Sequence, residues 1–205
     1  MTVLQPATSF ANTSTTHGLE APSAWVQRWS HLVPEGGAVL DVACGLGRHM
    51  RWFQQRNHPV AGIDRSPAAI ESVALLGEAI LADIEDGPWP LPGRRFACVV
   101  VTHYLWRPLL PRIVESVAPG GVLLYETFAH GNATVGKPSR PEFLLQPGEL
   151  LAACAGLRIV AYEDGFEAEP ARFVQRIAAV REVPGPDAAP PLYALRGAPN
   201  SMAAR

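Results

Sequence analysis

The chain has no apolar run near the roughly 18 residues that a membrane span requires, and its 205 residues hold only three cysteines, irregularly spaced. Lys and Arg are missing from residues 1–16, which also lack a continuous apolar stretch; a secretory leader has both. Charge is scarce: 18% of residues are charged and the formal net charge is −2. That balance provides no positive field for a nucleic-acid backbone or an anionic membrane, so neither is expected as a partner. Cys44, Cys98 and Cys154 lie in apolar surroundings, which suits neither a disulfide framework nor a zinc knuckle. A reducing, cytoplasmic setting and no metal are expected. Internal repeats are absent, and the length leaves room for one enzyme-sized domain.

What is present is an apolar fraction of 48% arranged in a regular rhythm. Residues 1–20, rich in Ser and Thr, read as a flexible arm, and residues 184–205, with PGPDAAPP near their start, as a flexible tail. Between them, residues 21–183 form the expected folded unit. Apolar runs at 38–43, 59–64, 78–83, 96–102 and 121–128 alternate with helical patterns, as in a parallel sheet built from βαβ units. Helices are expected over 21–33 with Trp25, Trp29 and Leu32 in register, on a face of Leu46, Met50 and Phe53, over 68–76, through Leu109, Ile113 and Val117, and after Pro147. Residues 157–183 read as two long strands suited to a closing antiparallel pair. The expected fold class is therefore α/β: a Rossmann-like, doubly wound, mostly parallel seven-stranded sheet with an antiparallel last strand and helices on both faces.

The chemistry concentrates in VLDVACGLGRHM (39–50), an apolar strand that runs into a glycine-containing turn and then a helix. Gly45 and Gly47 lack a Cβ, so the backbone can take unusual dihedrals and admit a ligand beside the free N–H groups of the helix start. Three acids close three successive strands: Asp41, Asp64 and Asp83. In a doubly wound sheet such acids line one crevice at the carboxyl edge. A carboxylate at the second strand end can accept both hydroxyls of a ribose, and one at the third an exocyclic amine of adenine. Each could instead serve as a helix cap; Asp64, followed by Arg-Ser-Pro, fits a cap before the 68–76 helix.

These residues resemble the motifs of the class I S-adenosylmethionine-dependent methyltransferases, over roughly residues 35–128, with a layout similar to the small tellurite-resistance type. Asp41, Gly45 and Gly47 match the first motif, Asp64 the second, and Asp83 with Ile84 the third; Ala43 stands where many members have glycine. The resemblance implies S-adenosylmethionine as cofactor and S-adenosylhomocysteine as product. It further implies that Asp41 positions the amino-acid part, that the backbone of Ala43, Cys44, Gly45 and Gly47 passes beside it, that Asp64 binds ribose with Arg65 flanking the adenosine, and that Asp83 and Ile84 hold adenine. Thr102 and His103 would lie near the sulfonium methyl.

His103 is the first choice for a base, since imidazole titrates near neutrality, with Tyr104, Glu126 and His130 as further candidates. The stretch THYLWRP (102–108) lacks the Asn/Asp-Pro-Pro-aromatic pattern of enzymes that methylate nucleic-acid amino groups, so a small-molecule acceptor is expected. Asn132, Lys137 and Arg140, on a long loop anchored by Phe143 and Leu144, could meet a polar or anionic acceptor, and with Trp25 and Trp29 encode specificity. No exposed apolar face or coiled-coil seam is evident, so a monomer is expected. Two rivals stay open: an NAD-dependent oxidoreductase, weakened because Met50 occupies the third glycine position of its fingerprint, and a non-catalytic S-adenosylmethionine-binding module.

Overall fold

The structure, a computed structural model, describes residues 20–183 and 190–196. The arm expected over 1–20 thus lies outside the described residues except for Glu20, and the tail over 184–205 except for 190–196.

Among the described residues one sheet of seven strands forms: β1 Val39–Val42, β2 Val60–Asp64, β3 Glu78–Leu81, β4 Phe96–Thr102, β5 Val117–Phe128, β6 Arg158–Ala168 and β7 Ala171–Val180. Their spatial order is β3-β2-β1-β4-β5-β7-β6, and β7 alone runs antiparallel to its neighbours. The central strands are apolar on both faces, as parallel strands covered by helices must be. Alternate residues divide between two cores: Leu40, Val99, Val101, Leu123 and Tyr125 enter one, and Val39, Cys98, Val100, Val122 and Leu124 the other. Helices α1 (Ala24–Trp29), α2 (Arg48–Gln54) and α3 (Pro67–Val73) close the second core, through Trp25, Trp29, Met50, Phe53 and Val73. Helices α4 (Leu110–Glu115) and α5 (Glu149–Ala153) close the first, through Ile113 and Leu150. The strand order reverses between β1 and β4, and a ligand crevice belongs at the carboxyl ends beside that switch point.

Three local expectations change. Gly47, in the left-handed region at φ 79°, is the N-cap of α2, so Leu46 falls in the turn before the helix and is 36% exposed. Val117 opens β5 rather than continuing α4. Trp25 and Trp29 are core residues: both are fully buried, and the Trp25 indole N–H donates to the Ile177 carbonyl at 3.1 Å. They present no surface to an acceptor.

Residues 190–196 lie back against the α1 side, where Ala194 O is 2.9 Å from His31 Nε2 and Tyr193 packs on the core. Among the described residues no helix is long and apolar enough to cross a membrane.

Candidate active site

Leaving β1, the chain turns through three left-handed residues, Ala43 (φ 54°), Gly45 (φ 52°) and Gly47 (φ 79°). The two glycines serve different needs. A Cβ on Gly47 would lie 2.4 Å from Val73 Cγ1, so α2 and α3 approach only across a bare backbone, whereas a Cβ on Gly45 would meet nothing within 4 Å. Ala43 takes the strained conformation with a methyl group in place. The turn is pinned by Cys44 N–H donating to Ile63 O at 2.9 Å and Gly47 N–H to Cys44 O at 3.0 Å.

Asp64, at the end of β2, completes the turn: Oδ2 accepts from Gly45 N at 2.9 Å and Oδ1 from Ser66 N at 2.8 Å. The α3 cap itself is Ser66, whose hydroxyl accepts from Ala69 N. Asp83 accepts from Glu85 N at 2.9 Å and Asp86 N at 3.2 Å, and these backbone donors hold its carboxyl below the usual range. Asp64, Arg65, Asp83, Ile84, Ala43 and Tyr104 share the walls of one cleft of about 140 Å³.

Asp41 lies outside that cleft and is deeper, only 2% exposed, with Oδ2 making no hydrogen bond. The nearest charge partner is His49 Nδ1 at 3.7 Å. Because His49 Nε2 accepts from Ser23 N at 3.2 Å, the neutral ring carries its proton on Nδ1, facing Asp41. A buried carboxylate oxygen left without a donor is costly, and it suits a ligand that brings one. Cys44 contributes backbone only: burial, with Asp41 and Asp64 nearby, pushes its thiol pKa up, and its Sγ packs toward Gly62.

The other side of the crevice is built by β4 and β5. Thr102 Oγ1 accepts from Arg48 at 3.4 Å, and Arg48 also pairs with Glu20 at 3.3 Å. His103 stands at φ 54°, its backbone N–H donating to Glu126 O at 3.0 Å and its ring stacked on Phe128 with centroids 5.1 Å apart. Burial, then the charges of Arg48 and Arg172, lower its pKa to about 4. A cavity of about 290 Å³ opens here between His103, Tyr104, Leu105, Phe128 and Phe143. It shares Tyr104 and Glu85 with the first cleft, so the two are neighbours across one wall. Burial, with Glu85 and Asp83 near, pushes the Tyr104 phenol pKa up.

Glu126, buried at the end of β5, is no free carboxylate. Ser23 Oγ donates to Oε1 at 3.2 Å, and Arg176 Nε lies 3.3 Å from Oε2. His130 is exposed. Asn132 is 1% exposed and fastens its loop, donating to Pro138 O and accepting from Phe173 N, so it does not face an acceptor. Arg140 pairs with Glu142, Lys137 is exposed, and Leu144 is the buried anchor of the loop. Sequence reasoning missed His49, Arg48, Glu85, Arg172 and Arg176. Arg48 had a local signal, as the first helical residue after the turn, whereas Arg176 meets Glu126 only through the β5–β7 register.

Residues 39–121 match a family model described as a methyltransferase domain. The chain is 32% identical over 103 residues to the dTDP-4-amino-2,3,4,6-tetradeoxy-D-glucose N,N-dimethyltransferase of Saccharopolyspora spinosa, a match covering 46% of this chain and 41% of that one. The chain thus spans about two fifths of that relative's length. Its fold resembles TehB from Haemophilus influenzae, with TM-score 0.61, 19% identity, and coverage of 75% of this chain and 60% of that chain. It also resembles a TehB-like SAM-dependent methyltransferase from Corynebacterium glutamicum, with TM-score 0.56, 18% identity, and coverage of 77% and 87%. All the residues expected to bind cofactor, with His103 and Tyr104, fall inside the matched residues 39–121. Glu126, Phe143, Arg172 and Arg176, on the His103 side, lie beyond them.

Proposed function

We propose that the chain is an enzyme that moves a methyl group from S-adenosylmethionine to a small-molecule acceptor and releases S-adenosylhomocysteine. The observation that carries this reading is the set of acids at the ends of β1, β2 and β3 beside the switch point, with a buried Asp41 oxygen awaiting a donor. The residues fit the cofactor. Asp41 Oδ2 would take its ammonium group, the open backbone at Gly45 would let its chain pass, and the cleft of Asp64, Arg65, Asp83 and Ile84 would take the adenosine. Asp64 keeps lone pairs for ribose hydroxyls while accepting two backbone N–H groups, since a carboxylate offers about four acceptor sites.

When bound, the cofactor supplies a methyl group already activated by its sulfonium, so what remains for the protein is to hold an acceptor in line. Positioning of this kind is worth about 7–11 kcal/mol. His103, neutral and fixed by its stack on Phe128, orients the acceptor by hydrogen bonding. With a pKa near 4 it is a poor proton acceptor at neutral pH. Tyr104 stays protonated and acts as a donor on the shared wall. Thr102 and Arg48 close the crevice behind them.

The small-molecule acceptor is supported by the S. spinosa relative, an N,N-dimethyltransferase of an amino sugar. We place the protein in the cytoplasm, where its three buried free thiols remain reduced. Calorimetric titration with S-adenosylmethionine, S-adenosylhomocysteine and NAD tests the reading. Micromolar binding of the first two and none of NAD is the expected result; binding of NAD alone, or of none, overturns it.

A further inference from the structure

Resting on that reading, we infer that the cavity beside His103 takes a small amine carried on a compact apolar body, and no nucleoside-diphosphate-linked acceptor. The cavity, about 290 Å³, is at the small end for ligand sites. Its walls are apolar where Phe128, Phe143 and Leu105 face it, and among the described residues its one charged lining residue is Glu85. A carboxylate beside aromatic faces attracts an ammonium group from two directions, by ion pairing and by the ring quadrupoles. Glu85 stands on the wall shared with the cofactor cleft, so an amine drawn to it sits at the boundary between the two cavities.

A diphosphate needs the opposite lining. Oxyanions are recognised by Arg forks or Lys, and among the described residues no Arg or Lys lines this cavity. Of the two guanidinium groups that flank His103, Arg172 pairs through Nε with Glu167 at 2.6 Å and sets Nη1 3.4 Å from His103 Nε2, while Arg48 is held by Glu20 at 3.3 Å and Thr102 at 3.4 Å; neither lines the cavity itself. The site therefore differs in kind from one that must hold the dTDP-linked substrate of the S. spinosa relative.

The test uses the full chain. S-adenosylhomocysteine is titrated first; then benzylamine, benzyl alcohol, benzoate and thymidine diphosphate are titrated separately into the saturated protein, with binding read by calorimetry and by NMR shifts. Benzylamine is expected to bind at least about tenfold more tightly than the alcohol or benzoate, and thymidine diphosphate not at all. Glu85→Gln should erase the preference for amine over alcohol, and Phe143→Ala should weaken both. Tighter binding of benzoate or thymidine diphosphate, no amine preference in the unaltered protein, or a preference that survives Glu85→Gln overturns the inference. Failure of S-adenosylhomocysteine to bind defeats the methyltransferase reading itself, whereas its binding without an amine preference defeats this inference alone.

Discussion

Asp64 accepts the Gly45 backbone N–H on Oδ2 at 2.9 Å, tying the end of β2 to the turn that follows β1. The other oxygen takes Ser66 N–H at 2.8 Å, so one carboxylate orders both the turn after β1 and the entry to α3. Removing it in Asp64→Ala strips both donors of their partner. The expected loss is about 1–3 kcal/mol of stability, together with weaker S-adenosylhomocysteine binding. Asp64→Asn, with a single acceptor oxygen, should fall between the two. Thermal unfolding and ligand titration on the same samples check this. Unchanged stability in Asp64→Ala would mean that the two N–H groups find other acceptors.

His103 should not titrate in the neutral range. Its pKa is lowered to about 4 from an ordinary 6.5, by burial and then by Arg48 and Arg172. In the unfolded chain the imidazole gains its proton near 6.5, so the fold's preference for the neutral ring stabilises the protein fully above that pH. The contribution is lost as pH falls from about 6.5 through about 4. NMR titration of the ring should give a midpoint near 4, and Arg172→Gln should move it upward by removing a neighbouring positive charge. Turnover should show no inflection from His103 between about pH 5 and 8. An inflection in that range that disappears in His103→Gln would restore it as a general base.

Arg107 acts as a clasp on the loop that carries Phe143. Its guanidinium pairs with Glu149 through Nε at 2.7 Å and Nη2 at 2.9 Å, and also donates to Glu142 O at 2.9 Å and Leu144 O at 2.8 Å. Lysine, a single point charge, cannot reproduce that fork. Arg107→Lys should lower stability by about 1–2 kcal/mol, a range moderated by partial exposure. Hydrogen exchange should quicken over residues 141–150, and the acceptor KM should rise with S-adenosylhomocysteine affinity unchanged. A rise in the Kd of the latter instead would show that the clasp acts on the cofactor side.

The turn and the three acids proposed to hold the cofactor could be picked out because their signals are local. An apolar run, an acid and spaced glycines lie within residues 39–50, and Asp64 and Asp83 each end a recognisable strand. The proposed acceptor side could not, because it is made by pairings across the chain. Arg176 reaches Glu126 by the register of β5 with β7, and Arg107 reaches Glu149 across the sheet end. Trp25 and Trp29 were expected to help encode specificity, but the same helical spacing describes a helix that buries both rings. Met50 was read as occupying the third glycine position of a nicotinamide fingerprint, where glycine permits close helix–strand packing. The fold accommodates Met50 with Gly62 of β2, where a Cβ would lie 2.4 Å from Met50 Sδ.

Gly45 and Gly47 look alike in the sequence yet should fail differently. At Gly47 an added methyl meets Val73 Cγ1 at 2.4 Å in addition to its left-handed φ of 79°. Gly47→Ala should therefore cost about 2–4 kcal/mol, part backbone strain and part overpacking. Val73→Ala costs stability alone through lost burial, but in the Gly47→Ala background it removes the overlap, so the two changes should couple favourably in a double-mutant cycle. Gly45→Ala meets no atom within 4 Å and should cost only the dihedral strain, about 1–2 kcal/mol. Its methyl, however, enters the open space where the cofactor chain would pass, so S-adenosylhomocysteine binding should fall much further than stability does. Full affinity in Gly45→Ala would place the cofactor elsewhere in the crevice, and simple additivity of Gly47→Ala and Val73→Ala would show that strain at the turn, rather than the α2–α3 approach, demands glycine there.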